Sequence, residues 1–152
     1  MGKRGYQRHG SFCGIRSVPP QGEKSNMSIT EAIKDVEHFH RAFGAPVRTN
    51  PTFPSEEEKA LRWNLIVEEM SELGEAFYHD DMVEISDAIA DLIYVAIGMA
   101  LSYGIPLAEV WEEVHNSNME KLGGGVREDG KIMKPDGWQP PRIAEVLAKH
   151  IA

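Results

Sequence analysis

The sequence predicts an all-α fold with a four-helix-bundle core. Apolar residues recur at helical spacing in four consecutive segments, and helix-capping residues precede several of them. No segment shows the alternation that is typical of a half-buried strand. Because the connections between the four segments are short, we expect antiparallel neighbouring helices, as in a bundle.

The first two predicted helices are defined by their apolar stripes and by their ends. The first spans residues 30–43, and its stripe consists of Ile33, Val36, Phe43 and either Phe39 or His40. The second helix begins after Ser55, which is spaced to form a capping box with Glu58, and it runs to about Tyr78. Its stripe consists of Ile66, Met70, Leu73 and Phe77.

The third predicted helix ends at Gly104, and its two N-cap candidates are Asp80 and Asp81. The fourth begins at Pro106, a residue that is favoured in the first turn of a helix, and it ends at the glycine triplet 123–125. A proline-containing loop and a short final helix over residues 143–151 complete the chain.

Two regions differ in composition. Residues 1–26 are rich in Gly, Arg, Ser and Pro and have no apolar period, so we predict a disordered tail or an extension upstream of a native start at Met27. Residues 27–152 are predicted to form one helical domain. The tail has a net charge of +4 and the whole chain −8, which leaves −12 for the domain.

This acidity excludes some classes of partner and favours others. A strongly acidic domain repels a phosphate backbone, so we expect no nucleic-acid binding, and it is suited to binding divalent cations. The single cysteine, Cys13, excludes an internal disulfide and fits a cytoplasmic location. No run of about 18 apolar residues is free of charge, so we expect no membrane span.

One carboxylate interrupts the most hydrophobic segment. From Ala88 to Leu101 every residue is apolar or glycine except Asp91. A buried, unpaired carboxylate costs several kcal/mol, so it is either neutral or paired with a cation. We therefore expect Asp91 to have a cationic partner.

Acidic residues on the second and third helices suggest what that partner is. Glu69 and Glu72 lie on the apolar face of the second helix, next to Glu68, and Glu84, Asp87 and Asp91 follow one stripe of the third. Like charges brought together destabilise a fold unless a cation intervenes. An oxygen-only ligand set suits Mg²⁺, with Mn²⁺ as an alternative.

A site of this kind in a helical bundle commonly binds a polyphosphate, because Mg²⁺ prefers phosphate oxygens. Asn118 and Lys121 are three residues apart at the end of the fourth helix, so they share a face and are candidates to bind phosphate. Arg62 lies seven residues before Glu69, on the same side of the second helix, and is a further candidate.

The combined motifs resemble the MazG-type all-α NTP pyrophosphohydrolase superfamily, and most closely its phosphoribosyl-ATP pyrophosphohydrolase-like branch. The resemblance covers about residues 30–141. The motifs that carry it are EEMSE at 68–72, DAIADLIYV at 87–95, a Gly-Ile-Pro break, EVHNSNMEKL at 113–122 and GKIMKPDGWQPP at 130–141.

The resemblance implies Mg²⁺-dependent cleavage of a nucleoside triphosphate between its α- and β-phosphates, with Glu69 and Glu72 as one pair of metal ligands and Glu68 or Glu69 as the base. It implies Asp91 as part of a second pair. Ala88 stands where the family has glutamate, so either Asp87 replaces that ligand or Glu84 and Asp87 form the pair. The resemblance also implies a homodimer or homotetramer in which a neighbouring subunit helps to close the pocket.

Three alternatives remain open from the sequence. The first is the phosphoribosyl-ATP pyrophosphohydrolase reaction of histidine biosynthesis, in place of removal of unwanted nucleotides. The second is a carboxylate-bridged di-iron bundle, because Glu37–His40 and Glu112–His115 are both Glu-x-x-His motifs on helices. Against this di-iron alternative, we expect His40 at a polar or rim position of the bundle and not at a metal site. The third alternative is a helical interaction module without catalysis.

Overall fold

The computed structural model describes residues 28–151, which contain five helices. They are α1 (Ile29–Ala42), α2 (Glu56–Tyr78), α3 (Met82–Tyr103), α4 (Leu107–Met119) and α5 (Ile143–Ala148). In this part of the chain the β-type pairing is limited to an isolated antiparallel bridge between Val126 and Ile132. The predicted all-α class is therefore confirmed. The predicted tail, residues 1–26, lies outside the described residues.

Local capping explains where the longest helices begin. The Ser55 hydroxyl accepts a hydrogen bond from the Glu58 amide and the Glu58 carboxylate accepts one from the Ser55 amide, so the predicted capping box starts α2. The Asp81 side chain caps α3 by accepting from the amides of Val83 and Glu84. Helix α5 ends at Ala148, three residues earlier than the sequence predicted.

Helices α2 and α3 form the most extensive contact of the fold, as an antiparallel hairpin. Helix α1 packs on α3, and the buried core lies between them, where Val36 contacts the face formed by Ile97 and Leu101. Helix α4 packs on α1 and α5, and within residues 28–151 it makes no comparable contact with the α2–α3 hairpin. The hairpin is consequently covered on one side more than on the other.

The loop between α1 and α2 is fixed to the carboxyl end of α3. The amides of Arg48 and Thr52 donate to the carbonyls of Leu101 and Tyr103, both at 2.9 Å. Gly104 ends α3 with a φ of +66°, and a Cβ at this position would lie 2.2 Å from the Asn50 carbonyl oxygen. Only glycine fits both the left-handed conformation and the close approach of the loop.

Large apolar side chains remain exposed on the hairpin. On α2, Met70 and Phe77 are 58% and 74% exposed although both belong to the predicted apolar stripe, and Ile93 on α3 is 53% exposed. Helix α3 is also long and apolar enough to cross a membrane by length and composition, and one third of its most apolar 18-residue window, of mean hydropathy 1.6, is buried in this chain. Core helices of soluble proteins meet the same criterion, so the absence of a membrane span stays a prediction.

Candidate active site

Four carboxylates from α2 and α3 lie near Glu69. Partial burial is the largest cause that raises the Glu69 pKa, and the neighbouring negative charges raise it further; these belong to Glu72, Asp91, Glu68 and Asp87. The antiparallel packing of α2 on α3 sets the middle of one helix beside the first half of the other, which brings the two acidic stripes together. Of the six acids that the sequence analysis grouped, the structure thus places five near one another, and Glu84 is not among them.

The expected burial of Asp91 is wrong for the single chain. Its side chain is exposed, and so are the flanking apolar residues Ile93 and Tyr94. Helix α4 packs on α1 and α5, and within residues 28–151 it makes no comparable contact with α3. Asp91 is therefore open to solvent, as are Ile93 and Tyr94, whereas Ile97 and Leu101 further along α3 are buried against α1.

The carboxylates do not form a closed cage. Within residues 28–151, no three Asp, Glu, His or Cys side chains converge closely enough to enclose a metal ion. The donor set is nonetheless composed of carboxylate oxygens, which is the chemistry that Mg²⁺ prefers. The site fits Mg²⁺ by its ligand type and charge, and the exposed side chains are free to turn toward an ion.

Asp87 and Glu84 are the two candidates to replace the missing family glutamate, and they have different surroundings in the structure. Ala88 is buried, so a glutamate at this position would also be largely buried. Asp87 is among the carboxylates that raise the Glu69 pKa, whereas Glu84 is not. Glu84 instead lines an acidic cleft of about 460 Å³ at the α2–α3 turn, which it shares with Glu72 and His79. Asp87 is accordingly the better placed of the two.

Arg62 lies away from the carboxylates. It is two helical turns, about 10.5 Å, from Glu69 along α2 and is only 7% exposed. In the described chain its guanidinium forms no ion pair, because Glu58 pairs with Arg48 instead. Burial is the main cause that lowers the Arg62 pKa, and the charge of Glu58 opposes it.

His40 occupies the core, which corrects the expectation of a rim position. It is 3% exposed, and its Nδ1 lies 2.9 Å from the Pro46 carbonyl oxygen, so Nδ1 carries the proton that it donates. Burial is the largest cause that lowers the His40 pKa. The hydrogen bond to Pro46 raises the pKa, and the positive charge of Arg62 lowers it. Glu37, the acid of the same Glu-x-x-His motif, pairs with Arg41 at 2.6 Å. These contacts disfavour the di-iron alternative.

Asn118 and Lys121 share a face at the end of α4, as their spacing predicted. Lys121 Nζ donates to Asn118 Oδ1 at 2.6 Å, and both residues line an open cavity of about 550 Å³ with Val126 and Ile132 of the following loop. Helix α4 does not pack along the α2–α3 hairpin of its own chain. Within one chain, Asn118 and Lys121 are therefore not brought to the carboxylates by contact between these helices.

The sequence analysis placed Lys134 and Trp138 in the closing motif, residues 130–141, and gave no role to Lys134. The Lys134 ammonium lies 3.9 Å from the centre of the Trp138 ring, and that of Lys121 lies 5.5 Å from it. The signal was present in the sequence as a basic residue four positions before a tryptophan, but a loop has no fixed period from which to place it.

Comparisons with known proteins agree with this geometry. Residues 36–118, more than half of the chain, match the family described as "Phosphoribosyl-ATP pyrophosphohydrolase". The chain is also 38% identical over 76 residues to "Uncharacterized protein L479" of Acanthamoeba polyphaga mimivirus. That alignment covers 47% of this chain and 30% of the viral protein, so the chain matches less than a third of that relative's length. From its match and its helical carboxylate pairs, the chain belongs to the phosphoribosyl-ATP pyrophosphohydrolase family of the MazG-like superfamily.

Proposed function

We propose that this protein is a Mg²⁺-dependent nucleoside triphosphate pyrophosphohydrolase that releases a nucleoside monophosphate and pyrophosphate. The observation that carries this proposal is the gathering of acids from α2 and α3 around the half-buried Glu69. The family match supports pyrophosphohydrolase chemistry in general. The choice of a nucleoside triphosphate, and of removal of unwanted nucleotides as the role, is our inference.

The four proposed metal ligands are Glu69, Glu72, Asp87 and Asp91. These oxygens would hold Mg²⁺, or Mn²⁺ in its place, which would supply positive charge to neutralise the charge that develops on the phosphates. The negative charge of the cluster favours binding of a divalent cation, since a cation among these acids would relieve the repulsion that raises the Glu69 pKa.

The reaction requires a water molecule held in line with the bond to be broken. Glu68 or Glu69 orients this water and accepts its proton, and the water oxygen forms a bond to the α-phosphorus. The bond from that phosphorus to the α–β bridging oxygen breaks, and pyrophosphate leaves with the electron pair. Asn118 and Lys121 bind phosphate oxygens, and Arg62, the third proposed binding residue, lies about two turns before Glu69 on α2.

We also propose that the site is completed by a second copy of the chain, in a homodimer or homotetramer. The exposed apolar residues beside the carboxylates need a covering surface, and α4 carries the proposed phosphate ligands away from the hairpin of its own chain. A neighbouring copy would satisfy both requirements. A cytoplasmic location and the absence of nucleic-acid and membrane partners stay predictions.

The test is a panel of canonical and modified nucleoside triphosphates, assayed for pyrophosphate release with Mg²⁺ and with EDTA. We expect Mg²⁺-dependent release, and a loss of at least about 100-fold in Glu69→Gln or Asp91→Asn, the order of effect seen when a charge-stabilising group is removed from an active site. Glu75→Gln, on the same helix as Glu69 but outside the proposed ligand set, is the matched control. Full activity of Asp91→Asn would refute the assignment.

Phosphoribosyl-ATP is the second candidate substrate, because the matching family carries its name. Adding it to the panel separates the two roles. If phosphoribosyl-ATP alone were cleaved, the biosynthetic reaction would replace our proposal, whereas cleavage of free nucleoside triphosphates at comparable rates would support it.

A further inference from the structure

The loop that follows α4 folds back onto the end of that helix. Val126 pairs with Ile132, and the Met133 amide donates to the Gly125 carbonyl at 3.0 Å. Gly124 permits this turn, because a Cβ there would lie 2.0 Å from the Met133 carbonyl oxygen. The consequence is that Lys134, thirteen residues after Lys121 in sequence, returns to the same end of α4.

The tryptophan beneath Lys134 is held in place by α4. Trp138 Nε1 donates to the Ser117 carbonyl at 2.8 Å, and the Ser117 hydroxyl donates to the Gln139 carbonyl at 3.2 Å. Ser117 is buried and immediately precedes Asn118. The indole is therefore fixed relative to the two residues of α4 that we propose to bind phosphate.

Two ammonium groups approach this one ring. Lys134 Nζ lies 3.9 Å and Lys121 Nζ 5.5 Å from its centre. Within residues 28–151 neither lysine forms an ion pair with a carboxylate. Stacking on the ring holds each cation, but the two positive charges repel one another, so an anion with several oxygens is the ligand that this arrangement favours.

We propose that Lys134, positioned by Trp138, is a second phosphate-binding cation beside Lys121, and that together they bind the pyrophosphate portion of the substrate. This inference rests on the proposed function, since it names the residue that holds the leaving group of that reaction. The negative charge on pyrophosphate rises as the bond to the α-phosphate breaks, so a cation fixed near it assists both binding and release from the α-phosphate.

The experiment measures binding of inorganic pyrophosphate by calorimetry in the presence of Mg²⁺ at constant ionic strength. Lys134→Gln should raise the dissociation constant about tenfold, and the inhibition constant for pyrophosphate in the turnover assay should rise equally. Lys134→Arg, which keeps the charge and can stack on the ring, should restore most of the affinity. Lys131→Gln removes a charge from the same loop away from Trp138 and should change both constants less than twofold.

The outcomes separate this inference from the function on which it rests. Lys134→Gln binding pyrophosphate like the wild type, with unchanged melting temperature, would overturn the role of Lys134 even in an active enzyme. A wild type that binds no pyrophosphate would overturn it as well. A wild type that binds pyrophosphate through Lys134 but cleaves no nucleotide would leave this site standing and refute the proposed reaction.

Discussion

The Nε2 atom of His40 lies 2.9 Å from the point that a Cβ on Gly98 would occupy, so α1 and α3 meet here because one residue has no side chain. Arg62 Nη1 lies 3.6 Å from the same point, and all three residues are buried. A histidine from α1 and an arginine from α2 thus share the space above one glycine of α3. This junction fixes the three helices in the half of the bundle beyond the carboxylates.

Gly98→Ala should destabilise the fold. Alanine is favoured over glycine in a helix interior by about 1 kcal/mol, but the added Cβ would displace an imidazole that is already tied to Pro46, at a cost of about 1–3 kcal/mol. We expect a net loss in the free energy of unfolding, measured by urea denaturation. Gly74→Ala on α2 meets nothing within 4 Å and should instead stabilise the protein. Equal effects at both positions would contradict this account.

The buried His40 should make stability depend on pH. Burial lowers the pKa of His40 in the folded chain below the ordinary 6.5. Between the lowered pKa and 6.5, the unfolded chain therefore binds a proton that the folded chain does not. Stability is therefore unaffected above about pH 6.5 and falls as the pH drops below it.

Thermal melts over this range test the expectation, and the decline should be smaller in His40→Gln. Because that variant also loses the bond to Pro46, the NMR titration of the His40 ring in the wild type provides an independent measurement. A titration midpoint at or above 6.5 would show that burial does not control this histidine.

The sequence predicted the starts of α2 and α3 well because caps are local. The reciprocal bonds of Ser55 and Glu58 involve residues three apart, and their spacing is visible in the chain itself. Burial was harder to predict. The apolar periodicity predicted either Phe39 or His40 in the core. His40 is the buried one, because Gly98 on another helix leaves space for its ring.

In the candidate site, too, local features could be predicted from the sequence and burial could not. The acids of α2 and α3 could be grouped from their spacing, since positions three or four apart share a helix face. The exposure of Asp91 could not be predicted in this way. It depends on whether α4 covers α3 or packs elsewhere, and helix packing of that kind has no signature in a single segment.

Asp87 and Glu84 should differ when each is neutralised. Asp87 lies close enough to Glu69 to raise its pKa, whereas Glu84 lines the cleft at the α2–α3 turn. Asp87→Asn should therefore raise the Mg²⁺ concentration for half-maximal activity about tenfold or more, the scale typical of disturbing a metal site. Glu84→Gln, one turn earlier on the same helix, should change it little. The reverse order would identify Glu84 as the replacement ligand.

The exposed apolar side of the α2–α3 hairpin should bind a second copy of the chain. Sedimentation equilibrium of the wild type is expected to give a mass that is a multiple of 17.0 kDa. Ile93→Asp places a carboxylate on this side, and burying it unpaired in an interface should weaken association by about 100-fold or more.

Ile132→Asp is the matched control, because Ile132 is similarly exposed but lies in the loop after α4. It should leave the mass unchanged. If the wild type is a monomer at all concentrations, the apolar side is not a contact between copies, and Asn118 and Lys121 must then reach the carboxylates within one chain. In that case activity should be independent of protein concentration in both variants, whereas a shared site requires that the specific activity of Ile93→Asp fall on dilution.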